Sequence, residues 1–440
     1  MLENPIIRFN ENLEGLRDFV EMVSGFLEKK QADDLSEDPI GFIPMILALS
    51  EFDPDLFDID EERKEKFKAL FGDNIEVMIE ESDDNDKKSI KLKIGDEGQK
   101  RFDDAMSRFK KSRTRQENLY HSSLISLISS VECFLASLIH IYYDKSPNAV
   151  DLKDKILSLE DLNAIGSVED ARKYIIDNKV EGVLRGSFND WMVFMKQKMK
   201  LSASYVNEHN DELVEACQRR NLLVHNGAIV NSTYIRNRPE TLGEPPNIGE
   251  LLGVSPEYLE DKISRFERCF ILIAAELWKK QEPDNNLRGS LLIKLAFDHL
   301  ERERWEISES LSYFTIGDKA LPESTRLIAQ INYWQSKKWQ GMYESVQAEV
   351  DDADFSAKEP IYLLAKYVLQ ENYELALDLM PKVIESGKLD INDIKKWPLF
   401  RLIRTERENE LNELIDKYDI NDKQQPKLSE STANGSGVTH

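Results

Sequence analysis

Fifteen residues near the middle of the chain decide most of what the sequence predicts about the fold, and they read Leu213-Val214-Glu215-Ala216-Cys217-Gln218-Arg219-Arg220-Asn221-Leu222-Leu223-Val224-His225-Asn226-Gly227. Apolar residues recur at helical spacing, and this pattern predicts a helix over about 208–225 with a buried stripe of Leu213, Ala216, Cys217 and Val224. An Asn-Gly pair follows at once, which is typical of a helix end.

Three polar side chains converge at the end of this predicted helix. Asn221 and His225 are four residues apart and therefore share one helix face. Arg220 is rotated by about 100° from Asn221, and its long guanidinium can still reach the same cleft. Arg219 offers an alternative partner for His225 in a longer spacing, although it lacks the Asn that directly follows Arg220. A cation, an amide and an imidazole are thus candidate site residues.

The flanking sequence predicts a mainly α fold. Apolar residues at helical spacing predict a strong helix from Leu124 to Ile139, and further helices over about 168–181, 188–200 and 257–281. A run of polar residues at 282–286 is typical of a boundary between domains. We therefore predict a central helical bundle over residues 113–282.

The region before the bundle, residues 1–112, is predicted to be a small α/β domain of unknown role. Its first helix carries apolar residues from Leu13 to Phe26. Two short, partly alternating runs, 75–79 and 90–94, predict a β-hairpin around a polar loop.

The last third contains an internal repeat. Trp305, Trp339 and Tyr373 are each 34 residues apart, and we expect them to occupy equivalent positions between helices. The period resembles that of the tetratricopeptide (TPR) repeat, although the match is degenerate and an irregular helical bundle is the alternative. We predict TPR-like helical repeats over 283–423 and a disordered tail over 424–440.

Composition restricts the function classes. The 440 residues carry a net charge of −24, which argues against a general nucleic-acid binder. Between residues 113 and 282, however, acidic residues exceed basic ones by only four, so this part repels RNA least. The N-terminus lacks the features of a secretory signal, the three cysteines are widely spaced, and no long uncharged apolar run is evident. We expect a cytoplasmic protein with no membrane partner.

The sequence lacks the motifs of several classes of enzyme and binding site. Neither glycine-rich phosphate-binding pattern occurs, and no Gly-x-Ser-x-Gly elbow is present. The six histidines show no metal-ligand spacing. We therefore predict no cofactor and no metal site, and we expect His140 to be structural.

The Arg220-Asn221-x3-His225 segment resembles the HEPN superfamily of all-helical domains, whose ribonuclease members carry Arg-x(4–6)-His near the end of a core helix. The resemblance covers about 115–281, including Ser130 to Leu135 and the segment from Lys179 to Leu201. It implies a homodimer in which two helix ends face each other, and an RNA substrate such as tRNA or mRNA.

The resemblance also implies a mechanism. His225 would act as base or acid, Arg220 would hold the phosphate oxygens, and Asn221 would orient His225 or contact phosphate. Such enzymes resemble toxins and anti-phage effectors, with the TPR-like region binding a protein partner. Two alternatives stay open. In the first, the segment has only a structural role, with Arg220 paired to Glu215 or Glu132 and His225 capping the helix. In the second, the protein is a non-catalytic HEPN/TPR adaptor.

Overall fold

The computed structural model describes residues 2–52, 59–81, 88–146 and 164–424, and the mainly α fold predicted from the sequence is confirmed. The helices are α1 (Glu3–Glu37), α2 (Ile43–Phe52), α3 (Glu61–Phe71), α4 (Asp96–Lys145), α5 (Val168–Leu184), α6 (Phe188–Gln197), α7 (Asn210–Asn226), α8 (Ser232–Asn237), α9 (Pro256–Gln281), α10 (Leu287–Glu301), α11 (Trp305–Ile316), α12 (Glu323–Trp339), α13 (Gln347–Asp352), α14 (Pro360–Leu369), α15 (Tyr373–Glu385), α16 (Ile391–Lys396), α17 (Arg401–Glu406) and α18 (Glu408–Gln424).

The predicted hairpin is present. Strands β1 (Ile75–Glu81) and β2 (Lys88–Ile94) are antiparallel, with Ile75 opposite Ile94. Because side chains alternate along a strand, one face of the hairpin can pack on α2 and α3. That face contributes to a small separate core made by Ile43, Leu47, Phe71 and Ile75.

The central bundle includes the first helix of the chain. Leu2, directly before α1, and Ile6, Phe9 and Leu13 of α1 are buried in the same core as α4 and α9. The rings of Phe9 and Phe134 stack with centroids 4.3 Å apart. The boundary predicted at residue 112 falls inside α4, which runs without a break from Asp96 to Lys145. The beginning of the chain therefore packs with the central bundle, while the hairpin region forms its own small core.

The boundary predicted at residue 283 also differs from the packing. Helices α10 and α11 contribute to the core of the central bundle, through residues such as Leu291 and Leu311. A second large core begins with Ile331 in α12 and continues to Ile415 in α18. The first helices of the predicted repeat region thus belong to the bundle. The predicted tail from residue 425 onward lies outside the described residues.

Four turns between helices of the C-terminal region have the same backbone conformation. Each places one residue at positive φ, and the amide of the next residue donates to a carbonyl five residues earlier. The positive-φ residues are Glu303, Gly341, Glu371 and Gly387. The first three are followed two positions later by an aromatic residue, Trp305, Tyr343 and Tyr373, whereas Gly387 is followed by Leu389.

The prediction that Trp339 is equivalent to Trp305 and Tyr373 is therefore wrong. Trp305 begins α11 and Tyr373 begins α15, whereas Trp339 is the last residue of α12. The structural equivalent in the middle is Tyr343, so the spacing is not a constant 34 residues. Trp305 and Trp339 instead contact each other, with ring centroids 6.4 Å apart. The 34-residue spacing between them reflects a packing contact and not a repeat.

This correction changes which tryptophan should matter most for stability. Trp334 is buried in the second core against Phe355, whereas Trp339 is only partly buried. We expect Trp334→Ala to lower the free energy of unfolding by about 2 kcal/mol more than Trp339→Ala, because it leaves the larger cavity. Urea denaturation of the two variants tests this, and an equal loss would contradict the assignment of the core.

Helix α4 is long and apolar enough to cross a membrane by length and composition. Its most apolar 18-residue window has a mean hydropathy of 1.9, and half of that window is buried inside the protein. A central core helix has the same composition, and α4 packs against α1, α5, α7 and α9. The helix thus has a packing role that accounts for its apolar sequence.

Candidate functional site

Helix α7 carries the candidate site residues at its C-terminal end. The predicted helix is present, and it ends where the Asn-Gly pair predicted. Gly227 has φ 58°, a left-handed conformation that glycine adopts without a steric penalty. The amide of Ala228 then donates to the carbonyl of Leu222 at 3.2 Å. This closure fixes the direction in which the chain leaves the last turn.

The three predicted site residues lie together on the last two turns of α7. Asn221 and His225 are both exposed and follow one another along one face. Neither has a hydrogen-bond partner among the described residues. Arg220 is less exposed, because its side chain turns toward α4. The structure therefore presents the imidazole and the amide to solvent, while the guanidinium is directed at Glu132 of α4.

Arg220 is held by a carboxylate from α4. An amino group of Arg220 donates to Oε1 of Glu132, which lies 88 residues earlier in the chain. The Nε of Arg220 is buried and has no partner among the described residues. Burial raises the pKa of the neighbouring Cys217 to about 12, so its thiol stays protonated beside the guanidinium. Glu132 is therefore the residue that positions Arg220.

Glu215, the other carboxylate considered for Arg220, binds elsewhere. It is buried and accepts hydrogen bonds from Arg219 at 2.7 Å, Tyr234 at 2.7 Å and Tyr258 at 2.6 Å. Burial and the charge of Glu215 raise the pKa of both tyrosine hydroxyls, which keeps them protonated as donors. This network anchors the middle of α7 to α8 and α9.

Arg219 belongs to the same network. Besides Glu215, it donates to the carbonyl of Gly253 at 2.8 Å, and its guanidinium lies 3.9 Å above the ring of Tyr258. A guanidinium that is paired, stacked and mostly buried is not available to a substrate. Arg219 is thus held by more partners than Arg220, whose guanidinium pairs with one carboxylate.

Exposed aliphatic residues lie on the last turn of α7 and in the segment that follows it. The predicted buried stripe is correct for Leu213, Ala216 and Cys217, but Val224 is exposed. Three more exposed aliphatic residues lie in the segment that follows α7, where residues 229 and 251 form an isolated β-bridge. We call these four residues, Val224, Ile229, Ile248 and Leu251, the site-side apolar patch.

A group of possible metal ligands lies elsewhere in the bundle. Side-chain atoms of Glu14, Glu267 and His299 are within 4.8 Å of one another. Arginines already neutralise the carboxylates: Arg17 donates to Glu267 at 2.7 Å, and Arg302 to Glu14 at 2.6 Å. A divalent cation would add charge beside these guanidinium groups. The group therefore fits an ion-pair network that links α1, α9 and α10 better than it fits a metal centre.

The histidine in this network is uncharged. Burial and the nearby arginines hold the pKa of His299 well below its usual range, while burial raises the pKa of Glu267 to about 7. Neither ring nitrogen of His299 has a hydrogen-bond partner among the described residues. The network thus consists of paired arginines and carboxylates around a neutral imidazole near neutral pH.

Comparison with known proteins gives no match: no family model, no curated protein and no solved structure is similar to this chain.

Proposed function

We propose that this chain is a metal-independent endoribonuclease of the HEPN type. The observation that carries the proposal is the joint placement of Arg220, Asn221 and His225 at one exposed helix end, in the arrangement that the HEPN resemblance implies. Cleavage of RNA without metal needs a proton acceptor, a proton donor and positive charge on the phosphorane. Imidazole and guanidinium are side chains suited to these tasks.

The proposed roles are compatible with the exposure and the contacts of each residue. His225 is exposed and can reach a 2′-hydroxyl or a leaving 5′-oxygen as base or acid. Arg220 gives one amino group to Glu132, and a guanidinium has five N–H donors, so donors remain for the non-bridging phosphate oxygens. Asn221 lies one turn before His225 and can orient the imidazole or contact phosphate. This chemistry uses no metal and no cofactor.

The proposal includes a homodimer. One chain supplies a single His225 and a single Arg220, whereas a two-fold axis near the end of α7 would bring two of each to one cleft. The site-side apolar patch supports this arrangement, since apolar surface beside a polar site is typical of an interface. A doubled cationic cleft also accommodates RNA locally despite the net charge of −24.

The dimer can be tested by placing a charge in the site-side apolar patch. Leu251 is 58% exposed, so Leu251→Asp should fold normally but bury an unpaired charge on association. We expect light scattering at micromolar concentration to show a dimer for the wild type and a monomer for the variant.

Leu375→Asp is the matched control for this experiment. Leu375 is 45% exposed on α15, outside the site-side apolar patch, and its variant should remain dimeric. A wild-type protein that is monomeric at the same concentration would overturn the proposed composite cleft.

The decisive experiment for the proposed function incubates purified protein with total RNA and with tRNA. Wild type and His225→Ala are compared side by side. We place the protein in the cytoplasm as a regulated toxin or anti-phage effector, with the C-terminal helices available to a protein partner.

One observation favours a second candidate function, that of a non-catalytic adaptor. Arg220 already has a carboxylate partner in Glu132, as a purely structural arginine would. In that case the α7 end would serve dimerisation, and the C-terminal helices would recruit a protein. Expressing the protein in cells distinguishes the two functions, because an active, unrestrained nuclease degrades cellular RNA, whereas an adaptor does not.

A further inference from the structure

A cavity of about 880 Å³ lies in the central bundle, between α9 and α11. Its walls come from the 3-10 helix Ser204–His209, from α9 and from α11. The volume is within the range of small-molecule sites, which is about 300–1,000 Å³. The cavity is at the beginning of α7, about 24 Å along the helix from His225, and is therefore separate from the candidate nuclease site.

Two arginines contact one histidine at this cavity. Nη1 of Arg265 is 2.5 Å from Nδ1 of His209, and Nη2 of Arg268 contacts Nε2 of the same ring. Burial and the two guanidinium groups lower the pKa of His209 to about 4, so the ring is neutral near pH 7.

A neutral imidazole has one acceptor nitrogen and one N–H. One of the two guanidinium groups therefore points a donor at another donor. Arg265 also bonds to Asp261 at 2.7 Å, whereas the nearest carboxylate oxygen to Arg268 is on Glu306, at 3.8 Å. Arg268 is thus a cation in this cavity whose nearest carboxylate among the described residues lies beyond hydrogen-bond distance.

Two further cations line the same cavity. Lys279 is 3.3 Å from Oδ1 of Asp318, whose other oxygen pairs with Arg288 at 2.7 Å, so the two cations share one carboxylate. Lys280 donates to two backbone carbonyls, of Met199 and Lys200, and to no carboxylate among the described residues. The two lysines therefore carry more positive charge than the one carboxylate that Lys279 shares with Arg288 can balance.

The carboxylates that line the cavity are mostly committed to protein donors. Glu276 accepts from the amides of Ser202 and Ala203 and from the hydroxyl of Tyr205. Glu309 pairs with Lys337 at 2.5 Å. Glu208, by contrast, has a side chain that is 86% exposed. An anion entering the cavity would therefore meet Arg268, Lys279 and Lys280, while Glu276 is held by neutral donors, Glu309 is paired with a lysine and Glu208 is directed to solvent.

Aromatic surface completes the cavity. Tyr313 and Phe314 line it from α11, and Tyr205 from the 3-10 helix. Tyr313 is 67% exposed, and its ring contacts that of Tyr333 with centroids 5.8 Å apart, so part of the ring surface stays accessible. A planar ring with an open face is a stacking platform for a nucleobase, and base–aromatic stacking is largely indifferent to base identity.

We propose that this cavity binds a nucleotide, with its phosphate on Arg268, Lys279 and Lys280 and its base against Tyr313. The proposal is independent of the ribonuclease proposal, because it concerns different residues and a ligand that is bound and not cleaved.

Isothermal titration calorimetry on the full-length protein tests the proposal, with AMP, GMP, CMP and UMP as separate probes. We expect at least one mononucleotide to bind with one site per chain, and its nucleoside and inorganic phosphate to bind at least about tenfold more weakly. Arg268→Gln should weaken binding by about tenfold, because a charge-assisted phosphate contact is lost. Lys279→Gln, at a partly exposed position, provides a second variant in case Arg268→Gln does not fold.

Arg185→Gln is the matched control, since it removes the same group from an 81% exposed position on the end of α5. Its affinity should equal that of the wild type. The proposal is overturned if no mononucleotide binds below about 1 mM, a Kd that corresponds to a weak complex. It is also overturned if both cavity variants bind as the wild type does, or if phosphate alone binds as tightly as the nucleotide. Repeating the titration on His225→Ala separates the two proposals, because binding should be unchanged there whether or not the protein cleaves RNA.

Discussion

His225→Ala should reduce RNA cleavage by about 10²–10⁴-fold, which is the contribution typical of a positioned proton-transfer group. The side chain is exposed and has no hydrogen-bond partner among the described residues, so its removal should leave the melting temperature and the dimer unchanged. Arg220→Ala should cause a similar loss by removing charge stabilisation from the phosphorane. Asn221→Ala should cost less, because orientation is only partly lost. Gel analysis of labelled tRNA with activated protein measures all three effects.

His140→Ala is the matched control for the first variant. His140 lies on α4, is partly exposed, and is 3.6 Å from Asp177. It is not one of the residues at the end of α7. Its removal should leave cleavage at the wild-type rate. A His225 variant that cuts as fast as the wild type would refute the assignment, and a protein that never cuts RNA, even with its trigger supplied, would favour the adaptor.

The products provide an independent check of the same mechanism. Attack by the 2′-hydroxyl leaves a 2′,3′-cyclic phosphate and a 5′-hydroxyl, and it cannot occur where the scissile nucleotide is 2′-deoxy. Cleavage should also persist in EDTA, since none of the proposed roles belongs to a metal. Cleavage that requires an added divalent cation would contradict the proposed roles of His225 and Arg220.

Local sequence patterns predicted the helices of the site well. The helix predicted over 208–225 is Asn210–Asn226, and the one predicted over 257–281 is Pro256–Gln281. The hairpin runs were also placed correctly. In each case the signal is local: apolar periodicity, a helix-ending Asn-Gly pair, or a polar loop between alternating runs.

Long-range packing could not be predicted in this way. The sequence changes from polar to apolar near residue 112, yet α4 continues through this point. The polar first half of the helix packs outside the main core, and its apolar second half packs inside it. The contact between Arg220 and Glu132 joins residues 88 positions apart. From the sequence, Glu132 could be identified only as one of two carboxylates that could pair with Arg220. No spacing rule places His209 between Arg265 and Arg268.

The predicted repeat failed for a different reason, because residue spacing is not by itself evidence of structural equivalence. The 34-residue spacing of Trp305 and Trp339 matched a known period, but the turns show that Tyr343 holds the equivalent position. Side-chain spacing cannot distinguish an equivalent site from a packing partner, whereas a positive-φ residue at each turn can.

The largest stability effect should come from the junction between the bundle and the C-terminal helices. Arg288 and Asp318 are both fully buried, and Nε and Nη2 of Arg288 donate to one carboxylate oxygen at 3.0 and 2.7 Å. Arg288 also donates to the carbonyls of Glu282 and Pro283. The pair therefore fixes the chain segment that leaves α9 and enters α10.

Asp318→Asn should lower the free energy of unfolding by about 3–5 kcal/mol, because it leaves the Arg288 guanidinium buried without its counter-charge. Asp284→Asn makes the same chemical change at an exposed position and should cost less than about 0.5 kcal/mol. Replacing both partners, by Arg288→Met with Asp318→Leu, should recover most of the loss in urea denaturation, since no charge then remains to be desolvated. If the double variant were as unstable as Asp318→Asn, the cost would lie in packing at the junction and not in the unpaired charge.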